Sequence, residues 1–294
     1  MTAPAKSQPV KAALWMMGAV ASFTSMAVAG REIAVELNTF ELMTYRSIIG
    51  IAVVLAVGGV SGTLHQIRTT DMRLHMVRNL GHFAGQNLWF YAVTVIPFAQ
   101  LFVFEFSSPV WVALFAPLIL AEQLTKTRVT AAAMGFIGIL LVARPGFVAF
   151  HPGMAVGAGA AIGFAVSVIF TKLLTRRHTI TCILFWLTVM QAAFGLIAVA
   201  LNGSMSWPTA SAWPLVIVIG IAGLFAHFCI TTALRLAPAI IVSPMDFIRL
   251  PIIAVIGLLF YGEALEWPVL LGAVVILSAN LANISAERRL SQTA

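Results

Sequence analysis

The second half of this chain repeats the first, and both halves are long, unbroken apolar runs. Adding 141 to a residue number carries Pro97 to Pro238, Glu105 to Asp246, Glu122 to Glu263 and Leu124 to Leu265. The same offset carries Phe23 to Phe164 and Arg31 to Lys172. A repeat of this length confines the chain to folds built from two similar helical halves, with acids at matched depths in each.

Composition decides the surroundings. Of 294 residues, 61% are hydrophobic and 9% charged, whereas a soluble chain carries about 25% charged residues. A membrane barrel would alternate apolar and polar residues in segments of about ten, and these runs do not alternate. The chain therefore reads as an all-α polytopic membrane protein. The net charge of +7 does not point to nucleic acid, because the basic residues are spread thinly over loops, as basic cytoplasmic loops are. Cys182 and Cys229 have neither CxxC nor metal-ligand spacing and read as buried free thiols.

Lys6 and Lys11 precede an apolar run ending in Ala27-Val28-Ala29-Gly30, which resembles a cleavable signal. The run is long for a signal and aligns with 153–171 in the second half, so it is read as a retained first helix.

A span needs about 20 apolar residues. The runs predict ten spans: 12–30, 42–60, 78–96, 99–121, 128–144, 154–173, 181–201, 212–234, 239–261 and 265–284. Residues 1–148 form the first five-helix repeat and 149–294 the second. With both termini cytoplasmic, the inner segments hold Lys6, Lys11, Arg68, Arg73, Arg78, Lys126, Arg128, Lys172, Arg176, Arg177, Arg235, Arg288 and Arg289, and the outer segments only Arg31 and Arg144. That asymmetry follows the positive-inside rule, and Trp207 and Trp213 suit an outer interfacial belt. Because five is odd, the second half inserts upside down, giving an inverted repeat. Within spans 2 and 7 the offset becomes 145, carrying Arg46 to Gln191 and Gly50 to Gly195.

Four charges lie inside apolar spans: Arg46, Glu105, Asp246 and Arg249. Each costs about 2.5–3.5 kcal/mol at mid-bilayer, so such groups face a wet cavity or pair with one another. Asp246 and Arg249 stand i,i+3 on one helix face; Glu105 and Arg46 are expected to pair across spans 4 and 2. These pairs either line a pathway or staple the bundle. Span 3 carries His82, Gln86 and Trp89 on one face, and span 8 matches it with Gly223, His227 and Thr231. Matched polar stripes predict a shared central cavity, in which a histidine relays protons or simply bonds between helices. Gly135, Gly138, Gly159, Gly163, Gly220 and Gly223 are expected to let helices approach closely. Pro97 and Pro238 predict short turns, while Pro109 and Pro251, mid-span, predict kinks at equivalent places. No HExxH, P-loop, GxSxG or acidic phosphate-binding motif occurs, so neither an enzyme nor a cofactor is expected.

With two five-helix halves and a proline followed about 25 residues later by glutamate in each, the chain resembles the drug/metabolite transporter superfamily, EamA type. The resemblance is carried by Pro97 to Gly146, with "SSPVWVALFAPLILAEQLTKTRVTAAAMGFIGILLVARPG", and by Pro238 to Gly272, with "FIRLPIIAVIGLLFYGEAL". Arg46 and the Arg144-Pro145-Gly146 break also match. The resemblance implies export of small metabolites across the bacterial inner membrane by alternating access, with spans 1–4 and 6–9 around the pathway and 5 and 10 peripheral. It is most similar to the exporters of aromatic amino acids (YddG type). The expected site holds a small molecule between spans 3, 4, 8 and 9, with Arg46, His82, Gln86, Trp89, Tyr91, Glu105, His227, Asp246 and Arg249 as substrate-binding groups. Phe104, Phe106 and Phe228 are expected to add aromatic walls, and Pro97, Pro109, Pro238 and Pro251 to serve as hinges. The expected form is a monomer in contact with membrane lipid. Proton coupling through Glu105, Asp246, His82 or His227 and facilitated diffusion both stay open, as do export of another metabolite or drug, a lipid or lipid-linked-sugar flippase, and a non-transporting scaffold.

Overall fold

The computed structural model describes residues 8–120, 126–144, 151–203, 205–264 and 266–293, and every regular element among them is helical. Glu122, Leu124, Pro145, Gly146 and Leu265 lie outside the described residues. The helices are α1 (Pro9–Ile33), α2 (Thr39–Val60), α3 (Met72–Val95), α4 (Phe98–Glu105), α5 (Ser108–Leu120), α6 (Lys126–Ala143), α7 (Pro152–Leu174), α8 (Ile180–Asn202), α9 (Trp213–Leu236), α10 (Ala239–Val242), α11 (Arg249–Tyr261) and α12 (Trp267–Thr293). Local chemistry sets several starts. Pro9 and Pro152 occupy first turns, where a missing N–H is not needed. Asn38 and Glu41 close a capping box on α2, and the Thr179 hydroxyl caps α8.

Among the described residues, six stretches are long and apolar enough to cross a membrane: Pro9–Ile33, Thr39–Val60, Phe98–Ala116, Pro152–Leu174, Ile180–Asn202 and Trp213–Leu236. Taken as one pass each, α4 with α5 and α10 with α11 bring the fold to ten passes. Large apolar side chains such as Leu118, Leu201 and Phe260 stand exposed on the helix surfaces, where lipid would meet them.

The packing is reciprocal. α1 lies on α9 and α3 on α7; α2 lies on α8, and α6 on α12. The first helix of each half thus packs on the third of the other, and the second and fifth pack on their own counterparts, as a pseudo-two-fold axis requires. Gly50 on α2 faces Thr188, and Gly195 on α8 faces Thr44. The tightest crossing is α3 with α7. A methyl group at Gly163 would sit 2.7 Å from the Gly81 carbonyl oxygen and 2.8 Å from the Gly85 Cα. Backbone cannot swing aside, so Gly163→Ala should lower the stability of the detergent-solubilised protein by about 1–3 kcal/mol. Gly159→Ala, whose methyl meets only the Leu88 side chain at 3.4 Å, should leave the melting temperature unchanged or slightly higher.

Spans 4 and 9, expected as kinked helices, are instead broken. α4 ends at Glu105 and α5 begins at Ser108; α10 passes into a 3-10 segment, Ser243–Ile248, before α11. Pro109 and Pro251 therefore stand in the first turns of new helices, where proline is tolerated, rather than at kinks. The expected turns at Pro97 and Pro238 are present: Ile96 and Ala237 are extended, because the proline ring excludes the helical conformation from the preceding residue.

Each turn is clamped by a cation from the first helix of a half. Arg31 donates from Nε to the Val93 carbonyl at 3.0 Å and from a terminal nitrogen to the Ile96 carbonyl at 3.1 Å. Lys172 donates to the carbonyls of Leu234 at 2.6 Å and Ala237 at 3.0 Å. The offset of 141 carries Arg31 to Lys172, Val93 to Leu234 and Ile96 to Ala237. Arg31 also pairs with Glu263, whose second oxygen accepts the Phe98 N–H at 2.9 Å, and its guanidinium lies 3.7 Å from the Phe98 ring centre.

Candidate substrate cavity

α1, α3, α7 and α9 stand together at the centre, and the two helix breaks point at the space between them. That space is a cavity of about 90 Å³ lined from α1 by Phe23 and Met26, from α3 by Arg78, His82, Gln86 and Trp89, and from the breaks by Glu105, Phe106, Asp246 and Arg249. Ser108 and Pro109 at the start of α5, Phe164, Ser167, Val168 and Thr171 of α7, and His227, Ile230 and Leu234 of α9 complete it. From Arg78 to Trp89 is 11 residues of helix, about 16 Å. The cavity therefore runs from the breaks toward the side on which α1 begins, and Arg31 with Glu263 closes the opposite side.

The breaks explain the chemistry. An interrupted helix leaves backbone polar groups and side chains free to converge at mid-membrane depth, tolerated only where they line a cavity or are buried in protein. Arg249 donates to Glu105 and to Asp246, both at 2.5 Å, and the Trp89 indole N–H donates to the other Glu105 oxygen at 2.6 Å. The Arg249 guanidinium also stands about 5 Å from the rings of Phe23 and Phe102. Asp246 Oδ1 and Arg249 Nε have no hydrogen-bond partner among the described residues.

The expected pair of Asp246 with Arg249 forms, but that of Glu105 with Arg46 does not. α3 stands between them: its Gln86 takes Arg46 and its Trp89 takes Glu105. Arg46 lies with Gln191 and His227 around a second, smaller cavity of about 20 Å³, large enough for one water. Gly223 leaves room for its guanidinium against α9. The two stripe histidines meet, His82 and His227 crossing edge-to-face at 4.5 Å. Both ring nitrogens of His227 and Nε2 of His82 lack partners among the described residues.

Tyr91 is 51% exposed on the outer surface of α3 and takes no part in the cavity. Phe104 and Phe228 are also outside the lining; Phe104 packs beside Gly157, and Phe228 against Trp15. Arg78, read as a loop cation, is 1% exposed inside α3. It donates to Thr171 at 3.1 Å and Asn79 at 2.7 Å and has no acidic partner among the described residues. The span prediction started at Arg78, but α3 starts at Met72, so Arg78 is nearly two turns in. Its spacing to His82, Gln86 and Trp89 (4, 8 and 11) extends the polar stripe and was the signal available.

The sequence profile of the EamA-like transporter family matches residues 10–144 and 151–284. A riboflavin transporter of Brucella anthropi is 31% identical over 78% of this chain and 82% of its own length. An S-adenosylmethionine uptake transporter of Rickettsia felis is 26% identical, covering 94% of this chain and 92% of its own. A pseudopaline exporter of Pseudomonas aeruginosa is 26% identical, covering 91% and 94%. A solved crystal structure superposes with a TM-score of 0.71 over 95% of this chain and 98% of its own, at 21% identity.

Proposed function

This chain belongs to the EamA-like transporter family, within the drug/metabolite transporter superfamily, and from that premise we propose that it carries a zwitterionic, amino-acid-type metabolite with an aromatic or heteroaromatic part. It is a multi-pass membrane transporter rather than an enzyme. The observation that carries the substrate class is the pair of unpartnered atoms at the helix breaks. Asp246 Oδ1 can accept from an ammonium, and Arg249 Nε can donate to a carboxylate. Phe23, Phe106, Phe164 and Trp89 supply flat apolar walls beside them, and Arg78, without an acidic partner among the described residues, makes the far end of the cavity attractive to anions.

The substrates of two relatives each share part of this chemistry, and the relatives differ in direction, one taking its substrate up and another exporting it. S-adenosylmethionine joins an amino acid to a purine, and riboflavin is a planar heteroaromatic; pseudopaline is moved outward by its exporter. For this chain the positive-inside pattern supports a cavity that faces the cytoplasm, from which an aromatic or neutral amino acid would be exported by a single chain. Release outside requires the Arg31–Glu263 closure to part while the side on which α1 begins closes, and the turns at Pro97 and Pro238 are the natural pivots. Residues 1–148 and 149–294 act as the two rocking halves.

The test is thermal stabilisation of the purified protein by a ligand panel, followed by proteoliposome counterflow. A ligand at 100 times its dissociation constant adds about 2.7 kcal/mol, an easily read rise in melting temperature. Aromatic amino acids should stabilise the protein and exchange. Gln86→Ala and His227→Ala should lower counterflow at least about tenfold, Gln86→Ala by removing the acceptor for Arg46 and His227→Ala by removing a ring nitrogen, unpartnered among the described residues, that substrate would engage. Stabilisation by lipids alone, or counterflow unchanged in both variants, would reject this reading.

A further inference from the structure

A second constellation lies outside the cavity, where the start of α3 meets the corner between α7 and α8. His75, His178 and Cys182 are all buried, and one ligand atom from each lies within 4.8 Å of the others. We propose that this is a site for a zinc-class divalent cation, held by a ring nitrogen of His75, Nδ1 of His178 and the thiolate of Cys182.

The geometry of His178 carries the assignment. Its Nδ1 lies 3.6 Å from the Cys182 sulfur. In a tetrahedral zinc site, Zn–S of about 2.3 Å and Zn–N of about 2.05 Å place sulfur and nitrogen about 3.6 Å apart. Its other nitrogen, Nε2, faces the Asp71 carboxylate at 3.1 Å. A ligating histidine characteristically donates its second N–H to a carboxylate, which fixes the tautomer and leaves the other nitrogen's lone pair for the metal. Arg177 also donates to Asp71 at 3.0 Å and fixes the carboxylate on the far side of the His178 ring.

His75 supplies the independent observation. It is 0% exposed, and neither ring nitrogen has a hydrogen-bond partner among the described residues. A buried imidazole without a partner carries a desolvation cost with nothing to offset it. Its ring stands against His178 at 5.1 Å between centroids, so it borders the space where a shared ion would sit. Two imidazoles and a thiolate suit zinc, being borderline in softness and open in the fourth position for water. Binding takes the Cys182 proton, which leaves to solvent past Asp71, whose side chain is 26% exposed. The bound ion would pin the first turn of α3 to the α7–α8 corner, three residues ahead of Arg78.

The test uses the full-length protein in detergent with Co²⁺ as the probe and Zn²⁺ as the competitor. One equivalent of Co²⁺ should bind with a thiolate-to-cobalt charge-transfer band and the visible bands of tetrahedral cobalt, and one equivalent of Zn²⁺ should abolish them. Cys182→Ser should remove the charge-transfer band and His75→Ala weaken binding at least about 100-fold, while Asp71→Asn should weaken it about 10–100-fold with the spectrum retained. Cys229→Ser should change nothing; this control keeps the sulfur assignment decidable even if Cys182→Ser fails to fold. Absence of the charge-transfer band in the parent protein, its loss in Cys229→Ser, or binding unaffected by His75→Ala would overturn the site. The metal readout is independent of transport, so its failure leaves the substrate assignment untouched.

Discussion

Arg249→Met is expected to abolish transport and to destabilise the protein by about 3–5 kcal/mol, the usual cost of removing one partner from a buried ionic group. Arg249 is 2% exposed and is the only cation that bonds both Glu105 and Asp246 among the described residues. Without it two carboxylates face each other across a break in the bundle, and one must take a proton. Stability alone would not separate a binding site from a staple. Replacing the whole group, with Glu105→Gln, Asp246→Asn and Arg249→Met together, removes the unpaired charge. Such replacements of buried ionic groups are often neutral or stabilising, and glutamine at 105 can still accept the Trp89 N–H. The triple variant should therefore recover its melting temperature yet still fail in counterflow. Recovery of transport together with stability would show that the charges only hold the helices together.

Glu263→Ala should open the side on which α1 ends. Glu263 joins three elements there: it pairs with Arg31 of α1, accepts the Phe98 N–H at the start of α4, and stands just beyond α11. A hydrogen bond to a charged group contributes about 1.5–3 kcal/mol. Losing it should speed hydrogen exchange at the Phe98 amide about 10–100-fold, while amides in the α3–α7 crossing stay protected. The closure is also expected to part in transport, so substrate exchange should change with the variant. Equal exchange at Phe98 in parent and variant would show that the carboxylate does not hold this side shut.

Much of the architecture was legible before any coordinates. Apolar runs give spans because a backbone in lipid must satisfy its own hydrogen bonds. The offset of 141 matched Arg31 with Lys172, and the structure shows what the match means: the two bond equivalent carbonyls at equivalent turns. The stripe on α3 found His82, Gln86 and Trp89 because a helix places such spacings on one face. The same reasoning missed Arg78, since a cation at the edge of an apolar run looks like a loop anchor until the helix start is known. It also misplaced Tyr91, two residues after Trp89 and so on the opposite side of α3.

The sequence alone determined that this is a helical membrane protein in two repeated halves, with charges that require partners. Those conclusions rest on composition and local periodicity, which are properties of the chain by itself. Only the tertiary structure decided which charge meets which. Arg46 was matched with Glu105 by sign, yet α3 lies between them and gives each a different partner. It also decided that Pro109 and Pro251 begin helices rather than bend them, and that His75, His178 and Cys182, more than 100 residues apart at the extremes, share one corner. Such pairings depend on how helices cross, and helix crossings are set by side-chain packing between distant segments, which no local pattern records.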